Sequence, residues 1–296
     1  NIINVMANTS KERKESLEFM NECDKHFNLN LKWIETIFNY GLIINNKKHI
    51  FNSDQYEKLC KRNLFKCSND YLKTIEYFKV GVTYRIVNYK DLKVNGEIFE
   101  SGIKKLGIPF NKNKWCTRDM KLEPMKKYAN SVFGKDNYSI AVGLRADEID
   151  RVREDYKTNN IFYPLINRKI TTKDRNKFWS NQPIKITIPA YKGNCDLCFQ
   201  KSNRKLMTIL KEEPEKGVWW QKMIDKYGAI PKPTSKSYNE LQAKNDNQMT
   251  FYRGYNTIED LVKMAEHPFS KATDEYIYEN DLFDQEDECG SGCQVF

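Results

Sequence analysis

No apolar run among the 296 residues approaches the length of a membrane span, and no signal-peptide pattern opens the chain. These absences argue against a helical membrane protein or a secreted one and set the expectation of a cytoplasmic protein without membrane contact. Cationic side chains are missing after Lys271, while residues 274–288 hold eight Asp or Glu. The 49 Lys and Arg therefore face only 32 acidic residues over positions 1–273, which leaves +17 on the body against +9 for the whole chain. A basic body suits polyanions such as nucleotides or nucleic acid, although Lys-rich solvated faces give the same count. An initiator Met is also missing: the chain starts at Asn1 in "NIINVMANTS", an apolar, strand-like run, and the expectation is that a segment upstream is not included. There is no internal repeat.

What is present is a soluble, globular composition, 40% hydrophobic and 30% charged, long enough to bury a sizeable core. "IINVMANT" has the pattern of a buried strand entering a polar turn, with Thr9 and Glu12 at capping-box spacing before a helix from about Ser10. "LNLKWIE" alternates as a second strand, and strand–helix–strand with short connections predicts a βαβ unit. Residues from 36 to about 80 suggest a helical insertion. "TYRIVN" returns to strand character, the segment from Cys116 to Gly134 to helix, and "YSIAVGL" has the continuous apolar run of a central parallel strand. "IKITIPA" alternates as a strand. Helices are expected in "TTKDRNKFWSNQ", "SNRKLMTILKEEP", "VWWQKMIDKYG" and "TIEDLVKMAEHP", with a polar linker over 229–250. The expected class is α/β, a parallel sheet covered on both faces. Its domain spans 1–190 and is followed by a cysteine-containing region over 191–296.

In open parallel sheets, ligands bind beyond the carboxyl ends of the strands. Two polar loops occupy that position. In "ANTSKER", backbone N–H groups at a helix start and Arg13 can meet an anion. In "GLRADEIDR", Gly143 permits close approach, Arg145 can fork onto a phosphate, and Asp147 or Glu148 can hold a ribose or Mg²⁺. A solvated loop would carry the same residues. The cysteines say more. Cys195 and Cys198 in "GNCDLCFQK" have metal-knuckle spacing in a Gly-Asn turn, and "CGSGC" adds Cys289 and Cys293. Cys116 lies among Lys114, Arg118 and Lys121, cations that favour its thiolate. Together these fit zinc or an iron–sulfur cluster, where a lone CxxC would be as readily a plain turn. Cys23, Cys60 and Cys67 read as core or incidental.

The ordered series "ANTSKERKESLEFMNECDKHF", "LKWIE", "NGEIFESGIKKLGIPFNKNKWCTRDMKLEPMKKY", "AVGLRADEIDRV", "FWSNQPIKITIP", "GNCDLCFQK" and "EEPEKGVWW" resembles the phosphoadenosine phosphosulfate (PAPS) reductase family, in its phage and bacterial branch. That family belongs to the adenine nucleotide alpha-hydrolase-like superfamily. The resemblance covers residues 1–35 and roughly 82–220. It implies a Rossmann-like parallel sheet with helices on both faces, and an adenine nucleotide, ATP or PAPS, at its carboxyl edge. Asn8 and Thr9 would approach adenine or ribose, Gly143, Arg145, Asp147 and Glu148 would line the nucleotide, and Arg118 and Lys121 would meet its anionic end. It further implies Cys116 and Cys289 as reacting cysteines. An iron–sulfur cluster or zinc would be held by Cys116, Cys195 and Cys198 with Cys289 or Cys293.

Two departures stand out. The superfamily's Ser-Gly-Gly-x-x-Ser phosphate loop is absent, and since "NIINVMANT" resembles the second strand of the family, that loop would lie upstream of Asn1. The Glu-Cys-Gly-Leu-His segment of assimilatory reductases is here "ECGSGC", without the His. The expected function is thus sulfur transfer or reduction, or adenylation, with a homo-oligomer and a nucleic-acid substrate as further expectations. The alternative is a nucleotide- or nucleic-acid-binding module without turnover.

Overall fold

The computed structural model describes residues 2–44, 47–61, 76–232, 236–253 and 255–273. Strand β1 (Val5–Asn8) leads through a five-residue polar loop into helix α1 (Lys14–Phe27), and β2 (Lys32–Ile37) returns parallel to β1. This is the expected βαβ unit. Its helix begins later than the Thr9–Glu12 spacing suggests, because that pair closes a turn of the loop and Arg13 is the N-cap residue.

The parallel run stops at two strands. β6 (Thr83–Val87) pairs antiparallel with β2, so the sheet order is β1–β2–β6. It carries helices on both faces. Leu17 and Met20 of α1 pack with Trp33 and Met6 on one side, and on the other the Thr36 hydroxyl donates to the carbonyls of Asp119 and Met120. A Rossmann-like parallel sheet is therefore not what the structure shows; it shows a mixed α/β arrangement of small sheets. "YSIAVGL" contributes only β7 (Ile140–Ala141), paired in parallel with β8 (Ile161–Phe162) in a separate two-stranded sheet. Its remaining apolar residues, Val142 and Leu144, bury themselves against Ile161 and Tyr163 in a satellite cluster. A continuous apolar run satisfied locally in this way has no need of a central position.

Among its described residues the insertion is more β than helical. β3 (Asn39–Ile44), β4 (Lys47–Asn52) and β5 (Glu76–Phe78) form an antiparallel sheet in the order β4–β3–β5, beside helix α2 (Ser53–Lys61). Gly41 explains the close β3–β5 pairing, since a Cβ there would lie 2.4 Å from Val80 and 2.6 Å from the Phe78 carbonyl. "IKITIPA" forms no strand; with Pro189 and no neighbouring edge to pair, its alternation is left without a ladder.

The remaining helices are α3 (Glu97–Leu106), α4 (Trp115–Thr117), α5 (Glu123–Phe133), α6 (Pro164–Asn167), α7 (Thr172–Ser180), α8 (Asn203–Glu212), α9 (Lys216–Tyr227), α10 (Lys236–Lys244) and α11 (Ile258–Glu266). A π-helical turn, Arg118–Leu122, joins α4 to α5. Helix α10 occupies the expected linker over 229–250, where Tyr238 anchors it by burying its ring and accepting from the Ile108 N–H at its hydroxyl oxygen. The largest core cluster draws on both sides of residue 190, uniting Phe38, Ile103 and Trp115 with Leu206, Trp220 and Leu261. Among the described residues no helix is long and apolar enough to cross a membrane.

Candidate functional site at the end of β1

The carboxyl end of β1 delivers a loop that is polar in sequence and buried in the fold: Asn8, Thr9 and Ser10 are at most 1% exposed. Burying six consecutive polar residues requires that their hydrogen bonds be met internally. Asn8 donates through Nδ2 to Glu35 Oε1 and to the Lys93 carbonyl, and its Oδ1 accepts from the Ser10 N–H. Glu35, itself fully buried, also takes Arg85 and the Lys93 N–H. Ser10 has φ of +66° and acts outward: its Oγ accepts from the Ile98 N–H at 3.0 Å, and its carbonyl from the Gly96 N–H at 2.8 Å. It thereby supplies the side-chain cap that Gly96, the N-cap residue of α3, lacks.

The second half of the loop meets the cysteine turn. Glu12 and Cys195 form an antiparallel backbone bridge, and the Asp196 N–H donates to the Lys11 carbonyl at 3.0 Å. Thr9 Oγ1 lies 3.4 Å from Cys195 Sγ while it donates to Glu12 Oε1 at 2.8 Å. Lys11 Nζ pairs with Asp196 Oδ2 at 2.9 Å and stands over the Trp219 ring at 4.7 Å, while Trp220 Nε1 donates to Asp196 Oδ1 at 2.8 Å. Tyr252 donates its hydroxyl to the Leu197 carbonyl at 3.2 Å. Burial first, then the charges of Asp196 and Cys198, pushes its ionisation well up, so it remains a donor. The turn itself takes its left-handed residue at Asn194 (φ +61°), while Gly193 has ordinary φ.

Cys116, Cys195 and Cys198 are all buried in the principal core cluster. Among the described residues, no group of three or more His, Cys, Asp or Glu side chains gathers as a metal site. These three cysteines do not by themselves fit a closed zinc or iron–sulfur centre. Cys289 and Cys293 lie outside the described residues, as does Cys67. Arg118, expected beside the Cys116 thiolate and at the anionic end of a nucleotide, grips Asp119 through Nε and Nη2 at 2.8 and 2.7 Å. Lys121 follows it on the π-helical turn.

The second loop pairs its charges among themselves and ties to Thr172 at the start of α7. Arg145 Nε meets Asp147 Oδ1 at 3.1 Å and Nη1 meets Glu148 Oε2 at 2.9 Å, while Glu148 also pairs with Arg151. Burial works upward on the Asp147 carboxyl, but hydrogen bonds from Thr172 and the charge of Arg145 hold it below the usual range. Both carboxylates are thus already paired to cations. A Cβ at Gly143 would meet nothing nearer than Leu165 at 4.0 Å, so its surroundings do not require glycine.

Arg13 gives the site its other edge. It is the N-cap residue of α1, its side chain is 1% exposed, and Nη1 contacts Glu213 Oε2 at 2.6 Å. Lys192 reaches the other oxygen of Glu213 at 2.6 Å and Glu212 at 2.9 Å. Burial works to raise the Glu213 carboxyl; the bonds from Lys192 and Arg13 outweigh it and hold it below the usual carboxylate range. Sequence reasoning singled out the flanking cysteines of "CDLC" but missed Asp196 between them, and it missed Lys11, Glu35, Lys192 and Glu213. A charged residue inside an otherwise apolar stretch, as in Cys195–Phe199, was the signal available for Asp196.

Among known proteins, the uncharacterized nin region protein ORF290 of Escherichia phage lambda is similar. It is 26% identical over 216 residues, which span 72% of this chain and 70% of that protein. No family model and no solved structure matches.

Proposed function

We propose that the chain binds an adenine nucleotide, ATP or PAPS, at the end of β1 and couples it to sulfur chemistry at the Cys195–Cys198 turn, in the manner of the PAPS reductase family its sequence resembles. One observation carries this reading: the strand-end loop and the cysteine turn are bound together, with Thr9 Oγ1 3.4 Å from Cys195 Sγ and Glu12 bridged to Cys195. A nucleotide held by that loop would stand beside a thiol. In the reductase form, a cysteine thiolate attacks the sulfonate sulfur of PAPS. The S–O bond breaks, and adenosine 3′,5′-bisphosphate leaves with the electron pair. A second thiolate then attacks the sulfonated cysteine sulfur and expels sulfite, leaving a disulfide that an external dithiol reduces. In the sulfurtransferase form, an acceptor oxygen attacks the α-phosphorus of ATP and pyrophosphate leaves; hydrosulfide from an external donor then attacks the activated carbon or phosphorus, and AMP leaves with the electron pair of the broken bond to oxygen. Cys195 is the thiol placed at the loop; Cys116 and Cys289 are the reacting thiols that the family resemblance suggests.

The test is anaerobic purification followed by incubation with ATP or PAPS, with pyrophosphate and sulfite as readouts. The same preparation is assayed for iron, acid-labile sulfide and zinc. Release of either product, lost in Cys195→Ser, supports the catalytic reading; no product from either nucleotide sinks it. The second reading, a binding module without turnover, draws on the +17 body. Its signature would be a salt-sensitive DNA complex with no product.

A further inference from the structure

Among the described residues, three arginines lay the same edge of the guanidinium on a carboxylate. Arg85 lays Nε and Nη2 on Glu35 Oε2, Arg118 lays them on the two oxygens of Asp119, and Arg153 on the two oxygens of Asp155. That edge presents two parallel N–H groups to an oxyanion, which is the geometry arginine is suited to. At Arg13 the same two atoms, Nε and Nη2, are buried and have no hydrogen-bond partner. Only Nη1 is occupied, by Glu213, and that carboxylate is shared with Lys192. A guanidinium with a side chain 1% exposed and an empty donor edge is a costly arrangement unless something accepts from it.

We propose that the Nε/Nη2 edge of Arg13 is the seat of an oxyanion, either free sulfate or phosphate or the phosphoryl end of a nucleotide. The seat lies one residue along the chain from the Glu12–Cys195 bridge, so the anion would lie on the same loop as the Cys195 thiol. Placed there, it would complete the Arg13 fork as Glu35, Asp119 and Asp155 complete the other three. The nucleotide arm rests on the function proposed above; the inorganic arm does not.

The experiment uses the full chain, ¹⁵N-labelled, with the assigned Arg13 Nε–H resonance followed during titration with inorganic sulfate, inorganic phosphate, ATP and PAPS. Affinities are measured in parallel by calorimetry for the wild type and for Arg13→Lys, which keeps the charge but not the fork. The expected result is a saturable shift of that resonance with at least one of the four, and an affinity at least about ten-fold weaker in Arg13→Lys. Should Arg13→Lys fail to fold, the wild-type resonance decides. Shifts with the inorganic anions but not with either nucleotide keep the seat and remove the nucleotide reading. Nucleotide binding that leaves the Arg13 resonance unmoved keeps the nucleotide reading and overturns the seat. No shift with any of the four, as when water alone occupies the edge, overturns it too.

Discussion

Asp196 is held from several directions at once. Lys11 and Trp220 reach its two carboxylate oxygens, the Leu197 N–H reaches Oδ1, and its own N–H donates to the Lys11 carbonyl. Lys11 and Asp196 are both at most 8% exposed. Removing one member of a buried ion pair leaves the other uncompensated, which costs about 3 kcal/mol or more. Asp196→Ala is therefore expected to destabilise by about that amount in urea denaturation, with a change in tryptophan emission because Trp220 loses its acceptor. Asp196→Asn, which keeps an acceptor for Trp220, should lose less and leave the emission closer to wild type. Equal losses in the two variants would mean that the Trp220 bond contributes nothing beyond the charge. Gly96 poses a different constraint. Its φ is +90°, and a Cβ there would lie 2.3 Å from the Trp219 ring. Left-handed strain of about 1–2 kcal/mol and overpacking of about 1–3 kcal/mol both act on Gly96→Ala. The expected loss of several kcal/mol is read from the shift in denaturation midpoint, and a shift near zero would show that Trp219 can move aside.

At the scale of elements, the end of α3 places a basic group where burial controls its protonation. Lys232 donates through Nζ to the Lys104 carbonyl at 3.0 Å in the last turn of that helix, and burial brings its pKa down to about 8 from an ordinary 10.5. Between those two values the unfolded chain holds a proton that the folded chain has released, so stability rises with pH across that window. Below pH 8 the folded state carries the full penalty of a buried ammonium. Lys232→Met should flatten the dependence of the denaturation midpoint between about pH 8 and 10.5; an unchanged slope would mean that another group is responsible. Elements such as α1, α8, α9 and α11 were legible from the sequence because each carries an apolar stripe at helical spacing, stopped by Asn28, by Pro214, at Gly228 or before Pro268. The parallel sheet was not, because direction is not written in an apolar run. "TYRIVN" and "YSIAVGL" look alike as strands, yet one pairs antiparallel with β2 and the other pairs only with β8. The insertion misled for the opposite reason: "NYGLII" has no period-two alternation, its buried positions being Asn39, Gly41 and Leu42. At the site, the residue types at the strand end were legible, whereas the partners that fix them, Glu35, Asp196 and Glu213, lie 27, 185 and 200 residues from Asn8, Lys11 and Arg13.

For the whole molecule, the distribution of charge matters more than its sum. Positions 1–273 carry +17, and the eight acidic residues of the last 23 positions bring the total to +9. Many of the cations in the described residues are already paired locally, as Arg85, Arg118, Arg145 and Arg153 are, and such pairs contribute little field at a distance. The remaining lysines supply the long-range attraction that a polyanion would feel, and each phosphate they neutralise releases condensed counterions. If nucleic acid is a partner, affinity for duplex DNA should fall linearly in log–log form as salt rises from 50 to about 200 mM, by several powers of ten for a footprint of six or more phosphates. Truncation after Thr273 removes eight negative charges and no positive ones, so it should tighten binding at low salt. Because counterion release counts phosphates contacted by the protein rather than its net charge, the slope should stay constant while the intercept rises. A steeper slope after truncation would mean that the acidic segment had been covering cations that then contact phosphate, and binding insensitive to salt in both forms would leave the +17 body without a role in nucleic-acid recognition.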